Sequence, residues 1–122
     1  MTIERFTLDD QMAPVSHYFH SVRAGNLIRV SGIVGMTSDG FIPDGTKEHF
    51  DIALDALVVC LRAAGGRSDT FTKVHIFLTD IADRGAINPA RVAYFGEHRP
   101  ASTLVEVSAL VDPRMKVEIE CM

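Results

Sequence analysis

Histidines, cysteines, serines and a pair of glutamates are the residue types in this chain that could do chemistry, and their spacing narrows what they can do. His17 and His20 flank Tyr18. At a separation of three on a strand they point to opposite faces, which argues against a shared metal, although one of them at a cleft mouth can touch an anionic ligand. Cys60 and Cys121 lie far apart without a CxxC spacing and read as small apolar fillers in a reducing compartment. Ser102 would need an adjacent base to act as a nucleophile, and no motif sets His75 or His98 beside it. Glu118 and Glu120 alternate with Val117, Ile119 and Cys121, so the two carboxylates share one face of a strand. On that face Glu118 has Arg29, Lys73 and Lys116 as candidate ion-pair partners. Asn88 before Pro89 has the form of a helix N-cap with proline at the first helical position. Ser31, next to Gly32, is placed to satisfy a backbone group, and Arg99 to form a surface or intersubunit ion pair.

Strands and helices must position these groups. Ile3 to Leu8 is a short candidate strand. Tyr18 to Val22 and Leu27 to Ile33 flank Arg23-Ala24-Gly25-Asn26, and Gly-Asn at the tip between two apolar runs signals a hairpin. Glycines and Pro43 mark a loop up to Gly45. After Thr46, the residues Phe50, Leu54, Leu57, Leu61 and Ala64 recur on one face of a helix, which Gly65-Gly66 ends. Thr72 to Thr79 reads as a strand, Asn88 to about Phe95 as a second helix, and Ser102 to Leu110 and Met115 to Cys121 as closing strands. The order β-β-β-α-β-α-β-β predicts a single α+β domain over residues 1–122, a mixed sheet with both helices on one face.

Strand parity sharpens this. Ile28, Val30, Val74, Ile76, Leu78, Val105, Val107, Val117 and Ile119 are expected to face the helices. The other face then carries Arg29, Ser31, Lys73, His75, Phe77, Ser102, Leu104, Glu106, Lys116, Glu118 and Glu120. A sheet of this size rarely leaves its second face wholly wet, so an interface between subunits, with polar clefts at its edges, is expected there.

Composition bounds the partners. The chain has 122 residues, 47% hydrophobic and 23% charged, as an ordinary globular protein has. A net charge of −4 opposes a phosphate-backbone partner, so no nucleic-acid binding is expected. No apolar run reaches the roughly 18 residues that a membrane span needs. The start, MTIERFTLDD, is acidic where a secretory signal is basic and then apolar, and a cytoplasmic location is expected.

Arg99-Pro-Ala-Ser-Thr-Leu-Val-Glu-Val107 followed by Lys116-Val-Glu-Ile-Glu120 resembles the C-terminal signature of the Rid family, the reactive intermediate deaminases also labelled endoribonuclease L-PSP-like. Gly25-Asn-Leu-Ile-Arg-Val-Ser-Gly32, Ala63-Ala-Gly-Gly66, Val74-His-Ile-Phe-Leu-Thr-Asp80 and Ile87-Asn88 extend the resemblance in order along nearly the whole chain. It implies a chorismate-mutase-like fold assembled as a homotrimer, with the sheets in a central β-barrel and small-molecule sites in clefts between subunits. It implies hydrolysis of enamines and imines to a carbonyl compound and ammonia, with no metal and no organic cofactor. By the same resemblance Tyr18, Ser31 and Asn88 contact substrate and Glu118 orients or activates the attacking water. The position of the carboxylate-clamping arginine is occupied by Ser102, with Arg99 three residues before it as a candidate substitute. Serine offers one neutral donor where arginine offers a fork, a loss of about ten- to a hundredfold at roughly 1.5–3 kcal/mol per charged hydrogen bond. The resemblance therefore leaves open an active deaminase or a small-molecule-binding trimer of altered specificity. The acidic balance and the lack of an aromatic-basic stripe weigh against a ribonuclease.

The mixed second face predicts a homotrimer in solution. Light scattering coupled to size exclusion should give the mass of three subunits at micromolar concentration, and a mass near one subunit would contradict the expected interface.

Overall fold

Buried residues alternate with partly exposed ones along Lys73–Leu78 and Val117–Cys121, and these two strands form the spine of the fold. The computed structural model describes residues 2–122. In chain order the elements are β1 (Ile3–Phe6), β2 (Ser21–Ala24), β3 (Leu27–Val34), α1 (Thr46–Ala63), β4 (Lys73–Leu78), a 3-10 turn (Ile81–Asp83), α2 (Arg84–Phe95), β5 (Ala101–Glu106) and β6 (Val117–Cys121). The strands form a six-stranded sheet in the order β1-β2-β3-β6-β4-β5. Its pairs are antiparallel except β4 with β5, which α2 joins by a crossover.

The apolar stripe of α1 behaves as its spacing predicts. Phe50, Leu54, Leu57 and Leu61 are buried against Val74, Ile76, Leu78, Val117 and Ile119, and Ile87 and Phe95 of α2 enter the same core. Both helices therefore cover the face to which these strand residues point. Gly65 ends α1 with φ at +101°, and Gly66 N–H returns to the Leu61 carbonyl. The Arg23 guanidinium donates to the Ala64 carbonyl at 3.1 Å, tying the helix end to β2. Gly25 at φ +62° and Asn26 make the hairpin tip between Ala24 and Leu27.

Three expectations are corrected. First, Tyr18 to His20 are not strand: β2 begins at Ser21, because the preceding segment is held as a loop by side-chain bonds described below. Secondly, Asn88 is not an N-cap. The helical segment opens at Asp80, whose carboxylate accepts from Ala82 N–H at 3.0 Å, and Pro89 lies inside α2. The Asn-Pro signal was local, and Asp80 caps a 3-10 turn that merges into α2. Thirdly, β5 has the opposite parity. Its parallel register sets Leu104 beside buried Ile76 and Ser102 beside buried Val74, so both face the helix side. Val105 lies beside Phe77 and is 41% exposed. Adjacent apolar residues, Leu104 and Val105, make the period of two ambiguous there.

Between β3 and α1 the chain passes close to itself. A Cβ at Gly35 would overlap the backbone of His49 on α1. His49 is fully buried, with its imidazole on the Pro43 carbonyl, so it has little room to yield. Gly35→Ala should cost about 1–3 kcal/mol in urea denaturation, the usual cost of overpacking. Wild-type stability in that variant would show that the α1–β3 contact is looser than described.

Candidate functional site

Glu118 lies on β6 where β3 carries a register shift between Val30 and Ile33. That irregularity brings Gly32 against the Glu118 carboxyl: a Cβ at Gly32 would stand 2.7 Å from Oε2. A side chain at position 32 would displace the carboxyl from this place. Glu118 is half-buried, and its pKa is raised, chiefly by burial and secondarily by the charge of Glu120. The ion pairs considered for it do not form. Lys73 donates to Thr103 Oγ1 at 2.8 Å, and Lys116 donates to the Asp44 carbonyl. Glu120 is engaged with His75 Nδ1 at 3.2 Å.

A cavity of about 480 Å³ opens in front of this carboxylate, lined by Tyr18, Ser31, Gly32 and Glu118. Met12, Met36 and Met115 supply much of its apolar wall. Three of the sequence-predicted residues, Tyr18, Ser31 and Glu118, thus meet in one cavity of one protomer. Ser31 Oγ donates to the Phe19 carbonyl at 2.6 Å, which leaves its lone pairs free. Tyr18 Oη accepts from Val15 N–H at 3.3 Å, so the phenol keeps its own proton to give.

The loop that carries Tyr18 is stapled by His20, which is 3% exposed. His20 Nδ1 accepts from Leu8 N–H at 2.9 Å, which makes Nε2 the protonated nitrogen that donates to the Met12 carbonyl at 2.8 Å. Both ring nitrogens are occupied. His20 is therefore a brace for the cavity wall, not the anion contact considered for it, and His17 is exposed in the same loop. Cys60 also lines the cavity, but burial pushes its thiol up to about 11, and Cys121 up to about 12. Neither thiol supplies a nucleophile near neutral pH. Among the described residues, no three histidine, cysteine, aspartate or glutamate side chains gather to hold a metal ion. Among the same residues, no helix is long and apolar enough to cross a membrane.

Asn88, Arg99 and Ser102 lie elsewhere, all exposed. Arg99 forms no ion pair among the described residues and does not reach Ser102. The partner of Ser102 is Arg91 of α2, whose Nη2 donates to Ser102 Oγ at 2.8 Å. Sequence reading missed Arg91 because helix and strand are joined only by the fold. It also missed the methionine wall and the His20 brace, which no motif marks.

A profile of the endoribonuclease L-PSP family matches residues 8–122. The chain is 35% identical over 109 residues to the 3-aminoacrylate deaminase RutC of Acinetobacter baylyi, covering 87% of this chain and 85% of that protein. It is 30% identical over 114 residues to the 2-iminobutanoate/2-iminopropanoate deaminase of Escherichia coli, covering 90% and 88%. The crystal structure of the YjgF gene product of Escherichia coli superposes with a TM-score of 0.89 at 28% identity, over 97% of this chain and 95% of that one.

Burial lifts Glu118, so the folded protein holds that proton more tightly than the unfolded chain. Its contribution to stability is fully present below the ordinary value of 4.5 and is lost as the pH rises through the raised folded value. Glu118→Gln should therefore be more stable than wild type to urea at pH 7, with the difference shrinking as the pH falls through the raised folded value towards 4.5. A variant no more stable at pH 7 would contradict an uncompensated carboxylate at this place.

Proposed function

The chain belongs to the endoribonuclease L-PSP family, the RidA/YjgF proteins, and on that footing we propose that it hydrolyses enamines or imines to a carbonyl compound and ammonia. The observation that carries this reading is Glu118, a carboxylate with a raised pKa facing a cavity that also holds Tyr18 and Ser31. A general base works best when its pKa approaches the operating pH, and burial moves Glu118 in that direction.

The chemistry balances with water alone. Glu118 takes a proton from a water molecule as its oxygen bonds to the imine carbon, and the C=N π pair goes to nitrogen. The proton on Glu118 passes to that nitrogen. Glu118 then takes the hydroxyl proton of the carbinolamine and delivers it to the nitrogen as the C–N bond breaks towards it, so that ammonia leaves with a carbonyl group behind. An enamine enters the same path once its β-carbon is protonated. Tyr18 Oη donates to the substrate, and the free lone pairs of Ser31 accept its N–H. These side chains need no metal or organic cofactor for any step.

The site is completed by a second copy of the chain. Ser102 and Glu118 project from opposite faces of the same sheet, so one small substrate does not reach both within a protomer. This supports clefts between subunits of a homotrimer whose sheets form a central barrel. The uncovered face sets Phe77 and the 41% exposed Val105 among Lys73, His75 and Glu120, a mixed surface that a second copy can cover. Asn88, Arg99 and Ser102 are assigned to the neighbouring subunit's half of the cleft. A second reading, a trimer that binds a small molecule without turnover, is favoured only by serine at position 102.

Generating 2-iminopropanoate with an amino-acid oxidase and following its decay decides between them. The wild-type trimer should accelerate the decay, and Glu118→Gln should lower kcat by about a hundredfold or more, as loss of a general base does. Decay indistinguishable from buffer would overturn the deaminase reading in favour of the binding one.

A further inference from the structure

Arg91 of α2 is a half-buried guanidinium without a counter-charge. It forms no ion pair among the described residues, and its hydrogen bond to Ser102 Oγ engages Nη2 alone. Burial lowers its pKa, and no carboxylate acts in the other direction. A half-buried arginine is ordinarily paired, because its desolvation is repaid only by an anion or by several acceptors. Here one neutral hydroxyl holds the side chain in place and leaves the rest of its planar donor set unused.

The strand beside it adds a second donor. β5 is an edge strand of the sheet. Ala101 N–H bonds to the Thr72 carbonyl at 3.1 Å and Val107 N–H to the Leu78 carbonyl at 2.8 Å, so the odd-numbered amides of this stretch point to β4. By alternation the amide of Ser102 points to the free edge. Ser102 thus turns its hydroxyl towards α2 and its N–H outwards, beside an oriented guanidinium.

We propose that Arg91, positioned by Ser102, is the carboxylate-binding residue of this protein, and that together with the free Ser102 amide it holds the carboxylate of a small 2-imino or 2-keto acid. The inference rests on the deaminase reading for its substrate, and on the geometry of α2 and β5 for its site. The guanidinium comes from the helix instead of from position 102, and the serine turns from a missing clamp into the group that aims one. The site faces the outer edge of the sheet, where a neighbouring subunit's cavity supplies Glu118.

Wild type, Arg91→Met, Arg91→Lys and Ser102→Ala are compared in two assays, with trimer mass and circular dichroism recorded for each. One assay is hydrolysis of 2-iminopropanoate, with acetone imine as the substrate lacking a carboxylate. The other is direct binding of pyruvate by calorimetry. Arg91→Met should raise KM for 2-iminopropanoate and weaken pyruvate binding by about tenfold or more, the size of a lost charge-assisted contact, with kcat changed less and acetone imine unaffected. Arg91→Lys, which keeps the charge without the fork, should fall between. Ser102→Ala should weaken pyruvate binding by a smaller factor. Unchanged KM and pyruvate affinity in folded variants would overturn the proposal, as would loss of the trimer with affinity retained, since Arg91 would then be an interface residue. Should Arg91→Met fail to fold, Arg91→Lys and Ser102→Ala carry the same comparison. If wild type hydrolyses neither imine, the deaminase reading fails separately. Pyruvate binding that still depends on Arg91 would then uphold the anion site, and its absence would overturn it.

Discussion

A carboxylate pressed against a glycine is the contact on which the rest of this structure turns. Glu118 occupies the space that a side chain at position 32 would fill, and the register shift of β3 exists at that point. The register shift and the carboxyl thus coincide, at a place where the carboxyl is half-buried. No lysine or arginine relieves it, and Glu120 two residues along adds its own repulsion. Such an arrangement costs folding free energy, and proteins retain such costs mostly where a proton must move. The loop braced by His20 and the apolar methionine wall close the surroundings, and so maintain the condition that raises the pKa.

The two faces of the sheet divide the labour. Helices α1 and α2 cover one face with a continuous apolar core, in which fully buried Leu57, Ile76, Leu78, Ile87 and Ile119 meet. That side holds the fold. The other side carries short polar ladders, His75 with Glu120 and Lys73 with Thr103, around Phe77. A face of this composition neither drives collapse nor needs to remain wet, and it suits contact with another copy. The free edges at β1 and β5 extend the same requirement to the backbone, since unpaired amides along an exposed edge seek a partner.

Much of this was legible in the residues. The order of elements, the apolar stripe of α1, its glycine stop and the Gly25-Asn26 hairpin follow from local rules that tertiary contacts reinforce. Tyr18, Ser31 and Glu118 were legible as a group only through the family resemblance, and they meet in one cavity. What escaped depends on contacts between distant segments. The parity of β5 is set by its parallel register with β4, not by its own alternation. Asp80, the cap of the 3-10 turn, is outweighed in sequence by the louder Asn88-Pro89 signal. His20, considered as a contact for an anion, is a brace, because its partners Leu8 and Met12 reveal themselves only when the loop is folded. Arg91 carries no motif at all, and its meaning comes from Ser102 across a crossover.

The pH dependence of kcat/KM for 2-iminopropanoate tests the central claim, that a carboxylate lifted by burial takes the proton from water. In wild type the acidic limb should lie above the ordinary glutamate value of 4.5, and removing the neighbouring charge in Glu120→Gln should move it down. A limb at or below that value, or one that persists unchanged in Glu118→Gln, would contradict the account.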